Sequence, residues 1–321
     1  MTAHATPAPV TGVPADGDPA AASLQSPDDV AAALSGTGYL PDAALSTAVF
    51  LAARLARPLL LEGEAGVGKT SLAEALAQIK GSELIRLQCY EGIDAAQALY
   101  DWDFPRQVLH LRALQALRPV AEDGPADPSA LAAVEDELYS ERFLLARPVL
   151  AALRTPNAVL LIDEIDRADD EFEAFLLEVL ADFAVTIPEL GRVVAVEPPL
   201  VVITSNRTRE VHDALKRRCL YHWLEHPELH REVAILRRRL PGIGEELARD
   251  VAQAVHRLRG AGLLKPPGVA ESLDWARALD AIGASRLDAD SAGVTLGAVL
   301  KYREDIEQVR AAGPALLAGA G

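Results

Sequence analysis

The sequence predicts an α/β fold, a doubly wound five-stranded parallel sheet followed by a small all-helical domain. Three observations predict it. Short apolar runs that read as buried strands alternate with helical segments up to about residue 225. A glycine-rich loop, GEAGVGKT at 63–70, joins one such run to a helix. After His226 the strand signals fade and helical periodicity holds to about residue 312.

The elements follow in order. Residues 1–27 are rich in Ala, Pro, Gly and Asp, and the first Lys or Arg is Arg54, so this stretch buries too little to offset its ordering entropy and reads as a disordered tail. ALSTAVFLAARLA reads as a helix, PLLL as a short buried strand, TSLAEALAQIK as a helix stopped by Gly81, and LIRLQ as a second strand. AVLLI (158–162) is continuously apolar, as expected of a strand covered on both faces. Phe172, Phe175, Leu176, Val179, Leu180 and Phe183 then make one helical stripe, with Glu171, Glu173, Glu178 and Asp182 off it. VTIPELGRVVAVE reads as a β-hairpin turning at Glu189 to Gly191. LVVIT (200–204) and LYHWL (220–224) complete five strands, and the intervening helices imply right-handed crossovers.

A core over 28–225 is thus expected, then a helical domain over 226–312 and a flexible end over 313–321. ELHREVAILRRRL, EELARDVAQAVHRLRGAG, ESLDWARALDAI and AGVTLGAVLKYREDIEQVRAA read as the four helical segments of the second domain.

Composition excludes several classes. A net charge of -16 argues against a large sequence-independent nucleic-acid surface, which needs clustered Lys and Arg. Cys89 and Cys219 lie far apart without metal-ligand spacing, so they read as buried thiols. His222, His226 and His230 are spaced by four, but Pro227 interrupts any helix presenting all three to a metal. AVFLAARLARPLLL is broken by Arg54, Arg57 and Pro58 and is too short to span a bilayer, and the N-terminus lacks a signal-peptide pattern; a cytoplasmic protein is expected.

The loop carries the chemistry. Its spacing, G-x-x-x-x-G-K-[ST] between a strand and a helix, lets Glu64, Ala65, Gly66, Val67, Gly68, Lys69, Thr70 and Ser71 wrap the phosphates of ATP with backbone N–H groups and the helix N-terminus. Lys69 supplies charge to the phosphate oxygens, and the Thr70 hydroxyl is placed for Mg²⁺. AVLLIDEIDRAD ends a buried strand on Asp163, which would complete the Mg²⁺ site, and Glu164, which would polarise the attacking water. The plainer reading of this acidic strand end is a helix cap, for which Asp166 or Asp169 is better placed. Asn206, ending LVVITSN, stands at the same sheet edge, where it senses the γ-phosphate or holds the water. Arg217 and Arg218 read either as a solvated basic turn or as an arginine finger toward a neighbouring subunit's nucleotide. Arg277, on a helix of the second domain, is placed to close over the γ-phosphate.

This order of motifs resembles the AAA+ ATPases and, within them, the MoxR family and its CoxD-like branch. The narrower resemblance rests on GEAGVGKTSLAEALA, LIRLQCYEGIDAAQALYDWDFPRQVLHLRAL, LLIDEIDRADDEFEAFLLEVLADFAVTIPELG, ITSNRTREVHDALKRRCLYHWLEHP, LRRRLPGI and SLDWARAL, over about residues 36–283. It implies a homo-oligomer, a hexameric ring with ATP between subunits, and chaperone-like remodelling beside a partner with a von Willebrand factor A domain. The CoxD-like branch implies a client metalloprotein, carbon monoxide dehydrogenase, whose molybdenum-copper site is matured. YDWDFPRQVLHLRAL and the hairpin at 185–197 correspond to the family's helix-2 insert and pre-sensor hairpin, which makes Trp102, Phe104 and Ile187 pore candidates. Arg277 sits in LDWARAL where other members have Ser-Pro-Arg. Two other motors share the core: a nucleic-acid motor, to which the basic residues at 207–218 and LRRRL at 236–240 point, and a metal-chelatase subunit.

Overall fold

The computed structural model describes residues 24–117, 128–313 and 316–317. Two helices, α1 (Pro27–Thr37) and α2 (Ala43–Leu55), precede β1 (Leu59–Gly63). After α3 (Lys69–Lys80) and β2 (Leu84–Gln88) comes an insertion of α4 (Ala95–Leu99), β3 (Tyr100–Trp102), α5 (Phe104–Leu117), α6 (Pro128–Leu138) and β4 (Leu144–Ala146). The chain then runs through α7 (Pro148–Arg154), β5 (Val159–Asp163), α8 (Asp170–Asp182), the hairpin of β6 (Ala184–Ile187) and β7 (Gly191–Val194), β8 (Leu200–Ser205), α9 (Asp213–Arg218) and β9 (Leu220–Leu224). Five further helices follow: α10 (Leu229–Arg239), α11 (Glu245–Arg259), α12 (Val269–Ala281), α13 (Ala289–Val299) and α14 (Arg303–Ala312). Among the described residues no helix is long and apolar enough to cross a membrane.

The five expected strands form one sheet in the order β2-β5-β8-β1-β9, every pairing parallel. Alternate residues face opposite sides, as the pleat requires. Leu59, Leu61, Val159, Leu161 and Val202 pack under α1, α2 and α3. Leu60, Leu160, Ile162, Val201 and Ile203 pack against the helix stripe of Phe172, Leu176, Val179 and Leu180. Each such side chain, removed from water, contributes about 1.5–3 kcal/mol, so the strand ends that carry polar residues are held by a core closed on both faces.

Three expectations change at the residue level. Most of the 1–27 tail lies outside the described residues, but Pro27 opens α1: Ser26 accepts from the Asp29 N–H, and Asp28 and Asp29 occupy the first turn. The last helical segment is two helices, because Leu300 is extended, Lys301 Nζ donates to the carbonyls of Gly297 and Ala298 at the end of α13, and buried Asp305 accepts from the N–H groups of Leu264 and Lys265. Of the 313–321 end, residues 314–315 and 318–321 lie outside the described residues, whereas Leu317 is buried and its carbonyl accepts from Arg257.

The C-terminal helices close on their own core around Trp275, whose Nε1 donates to Thr295 Oγ1. A buried ion pair fixes the start of α12. Arg259 on α11 donates from both terminal nitrogens to Glu232 on α10, at 2.6 and 2.8 Å, and from Nε to Pro267 O, while Ser272 Oγ donates to Glu232. That rigid start meets the glycine loop: Val269 N–H donates to Gly66 O at 2.9 Å, and a Cβ at Gly268 would stand 2.7 Å from Ala65 O and 2.8 Å from Gly66 Cα. Backbone packs on backbone here, with no space for a side chain.

Gly268 has an ordinary extended backbone, φ -82° and ψ -174°, which alanine adopts freely, so Gly268→Ala tests the contact alone. The expected outcome is a loss of about 1–3 kcal/mol, read as a lower thermal midpoint; an unchanged midpoint contradicts the close packing.

Candidate functional site

β1 delivers the loop and α3 leaves it. Gly68, at φ 100°, takes the left-handed turn that starts α3 and offers no side-chain cap, so the first-turn N–H groups stay open to an anion. Lys69 is only 7% exposed, and its ammonium donates to Gly63 O at 2.7 Å and Glu64 O at 2.6 Å. Burial drives the Lys69 pKa down to about 8, against the upward pull of Asp166, Asp163, Glu164 and Glu64. A buried cation bonded to neutral carbonyls beside an uncapped helix start fits a phosphate group.

Across the sheet, β5 ends on Asp163, 3% exposed. Thr70 Oγ1 stands 3.3 Å from both of its oxygens, Thr204 Oγ1 donates to Oδ1 at 2.5 Å, and Arg86 Nη2 donates to Oδ2 at 2.5 Å. Glu164 adopts the left-handed conformation, φ 57° and ψ 51°, with its N–H donating to Thr204 Oγ1. A residue without glycine's freedom is held there only where its surroundings impose it. The Glu164 carboxylate accepts from Gln88 Nε2 at 3.0 Å, Arg167 Nη1 at 3.1 Å and Asn206 Nδ2 at 3.4 Å. Lys69, Thr70, Asp163, Glu164 and Asn206 therefore line one cavity of about 1070 Å³, between the sheet edge and the helices α10 and α12. No group of three or more His, Cys, Asp or Glu among the described residues is arranged for a metal, so a divalent ion at Thr70 and Asp163 would need further oxygens from phosphate and water.

The two aspartates offered as caps differ. Asp169 caps α8, accepting from Phe172 N–H. Asp166 instead accepts from the N–H groups of Asn206 and Thr208 and from Thr208 Oγ1, clasping the turn that presents Asn206.

Other expected residues are placed as follows. Within the loop, Glu64 carries Oε2 2.9 Å from His226 Nε2, and Ala65, Gly66, Val67, Gly68 and Ser71 line the cavity. Arg277 lines it too, but bonds Asp274 on its own helix at 3.2 Å. Arg217 and Arg218 are exposed on α9, have no side-chain partner among the described residues and do not line their own chain's cavity; their carbonyls accept from Arg57. Phe104 is 58% exposed, and Trp102 packs edge-on against Tyr139. Ile187 is fully buried under α8, so its side chain does not project from the hairpin into a pore. Cys89 and Cys219 are free, buried thiols, each pushed up to about 12 by burial.

Sequence reasoning passed over Arg86, Gln88 and Thr204, and took Asp166 only as a candidate cap. The signal for two of them was available: LIRLQ alternates, and its polar positions Arg86 and Gln88 share the strand face that meets the acidic end of β5, with Gln88 in register with Asp163.

Against solved structures, the chain is 17% identical to the RuvB Holliday junction branch migration motor of Thermotoga maritima, with a TM-score of 0.43, covering 85% of this chain and 72% of that one. Two RuvB mutants from the same organism are similar at 18% identity (TM-score 0.44, 79% and 66% covered) and 17% identity (TM-score 0.44, 89% and 75% covered). At this level the likeness does not extend to what that motor acts on. The model of the AAA domain, dynein-related subfamily, matches residues 58–219, from the residue before β1 to the residue before β9. With more than half of the chain and four of the five sheet strands inside that match, the chain belongs to the dynein-related subfamily of AAA domain proteins.

Proposed function

We propose that this chain is a MoxR-type AAA+ ATPase of the CoxD-like branch that couples ATP hydrolysis to remodelling of a partner protein. Residues 28–225 act as the nucleotide-binding core and 226–312 as its lid. The observation that carries the ATPase reading is the meeting of Lys69, Thr70, Asp163 and Glu164 at one cavity. Magnesium-bound ATP supplies the phosphoanhydride and the charge of the ion. Lys69 holds the phosphate oxygens, Thr70 and Asp163 hold the ion, and Asn206 and Glu164 orient water, with Glu164 taking its proton. Arg217 or Arg218 serves a neighbouring subunit in a homo-oligomeric ring, which suits two exposed arginines without side-chain partners among the described residues. Arg277 closes over the site after leaving Asp274.

A protein client is favoured over nucleic acid by the net charge and by the engagement of four of the basic residues within the chain. Arg209 is bonded to Glu173 and Asp170, Arg207 faces Glu62, Arg237 pairs with Glu245, and Arg238 bonds Ser35 O. Helix α5 instead exposes Phe104, Val108 and Leu109, an apolar face suited to a polypeptide. The client is a metalloprotein, and a von Willebrand factor A domain protein is the expected partner. ATPase activity that rises with such a client and ignores DNA fits this reading; stimulation by DNA, lost steeply with salt, would reverse it.

Lys69→Ala is expected to abolish nucleotide binding in equilibrium dialysis, whereas Glu164→Gln retains ATP and hydrolyses it at least about 10²-fold more slowly. Undiminished hydrolysis by the second variant removes Glu164 from the reaction. Arg217→Ala and Arg218→Ala should lower turnover with little loss of binding, and recovery on mixing with Lys69→Ala protein indicates a shared site; no recovery argues against it.

The lowered Lys69 pKa sets a pH dependence. Below about 8 the free lysine is charged and affinity is flat; as pH rises through about 8 the free protein loses that proton and must regain it to bind phosphate. Affinity should then fall by up to about tenfold per pH unit, with proton uptake on binding. Calorimetry in two buffers of different ionisation enthalpy checks this, and the absence of proton uptake at high pH contradicts it.

A further inference from the structure

We infer that Arg86 is a positioning residue that occupies the Asp163 carboxylate in place of a divalent cation until that cation takes Asp163. The inference rests on the ATPase reading above and adds to it a residue that neither the loop nor the acidic strand end contains.

The geometry is a chain of contacts along one strand face. Arg86 Nη2 donates to Asp163 Oδ2 at 2.5 Å and to Gln88 Oε1 at 2.8 Å. A guanidinium has donors only, so it draws the carbonyl side of the Gln88 amide toward itself. The amide nitrogen is thereby turned the other way, where it donates to Glu164 Oε2 at 3.0 Å. The same side chain thus touches the expected ion ligand and Gln88, whose Nε2 also lies 3.4 Å from Cys89 O.

Charge and exposure make the arrangement exchangeable. Asp163 is a buried carboxylate with a half-exposed arginine as its counter-charge, the two side chains being 5% and 51% exposed. The arginine lines the cavity and leaves toward solvent at small cost, while Asp163 cannot remain buried without a positive partner. A divalent cation beside Thr70 and Asp163 supplies that partner and repels the guanidinium from the oxygen it now holds.

The test is a magnesium titration of nucleotide binding, followed with a fluorescent ATP analogue, on the full chain and on Arg86→Ala, Arg86→Gln and Arg86→Lys. Removing the competing charge should lower the half-saturating magnesium concentration roughly 2- to 10-fold in the Ala and Gln variants, the range for a partly exposed charge-assisted bond. Arg86→Lys should stay near the parent, and binding in excess chelator should be unchanged in all. Thermal midpoints without nucleotide identify a variant that fails to fold, and Arg86→Gln then carries the test. A magnesium midpoint that does not move overturns the inference. So does a loss of metal-free binding in Arg86→Ala, which would make Arg86 a direct phosphate ligand. If the parent binds no nucleotide at all, the ATPase reading falls first and takes this inference with it, whereas nucleotide binding with an unmoved midpoint rejects Arg86 alone.

Discussion

The buried carboxylate of Asp163 is the interaction on which the site depends. It joins three elements that are distant in sequence: α3 through Thr70, β2 through Arg86 and β8 through Thr204. A carboxylate taken out of water costs several kcal/mol unless donors or cations surround it, so these elements must arrive together. The sheet order makes this possible, because β8 lies between β1 and β5 and brings Thr204 and Asn206 between the glycine loop and the acidic pair. The cores on both faces of the sheet hold the three strand ends at one level.

A second tier of buried charges fixes what surrounds that point. Asp166 clasps the turn carrying Asn206, and Glu173, fully buried in α8, accepts from His212 N–H and pairs with Arg209. The stretch from 205 to 212 is thereby bound to the segment that follows Asp163. In the C-terminal helices, Glu232 and Arg259 perform the same task for the start of α12, which rests on Gly66. Both ends of the cavity are thus positioned by buried carboxylates. Removing one partner of such a pair leaves an uncompensated charge and costs about 3–5 kcal/mol, so the start of α12 is held firmly against the glycine loop.

The parts of this arrangement legible in the sequence were those with strong local patterns. The five strands, the phosphate loop, the helix stripe from Phe172 to Phe183 and the acidic end of β5 each announce themselves within about ten residues. What was not legible depends on strand pairing. Arg86 and Gln88 read as ordinary polar positions of an alternating strand until β2 is set beside β5, and Asp166 reads as a cap until β8 brings its turn alongside. The break at Leu300 was hidden for a similar reason: helical periodicity continues through it, while Lys301 closes the end of α13 and Asp305 is bonded to the 264–265 backbone. The resemblance makes Ile187 a pore candidate, but β6 turns it inward against α8.

The central claim is that Lys69, Thr70, Asp163 and Glu164 converge on a single magnesium-bound triphosphate. A structure of the protein with magnesium and a non-hydrolysable ATP analogue tests it directly. The account predicts the ion at about 2.0–2.1 Å from Thr70 Oγ1, with Asp163 beside it, the Lys69 ammonium moved from the loop carbonyls onto phosphate oxygens, and the terminal phosphate facing Glu164 and Asn206. A triphosphate bound away from the glycine loop, or an ion remote from both Thr70 and Asp163, would contradict it.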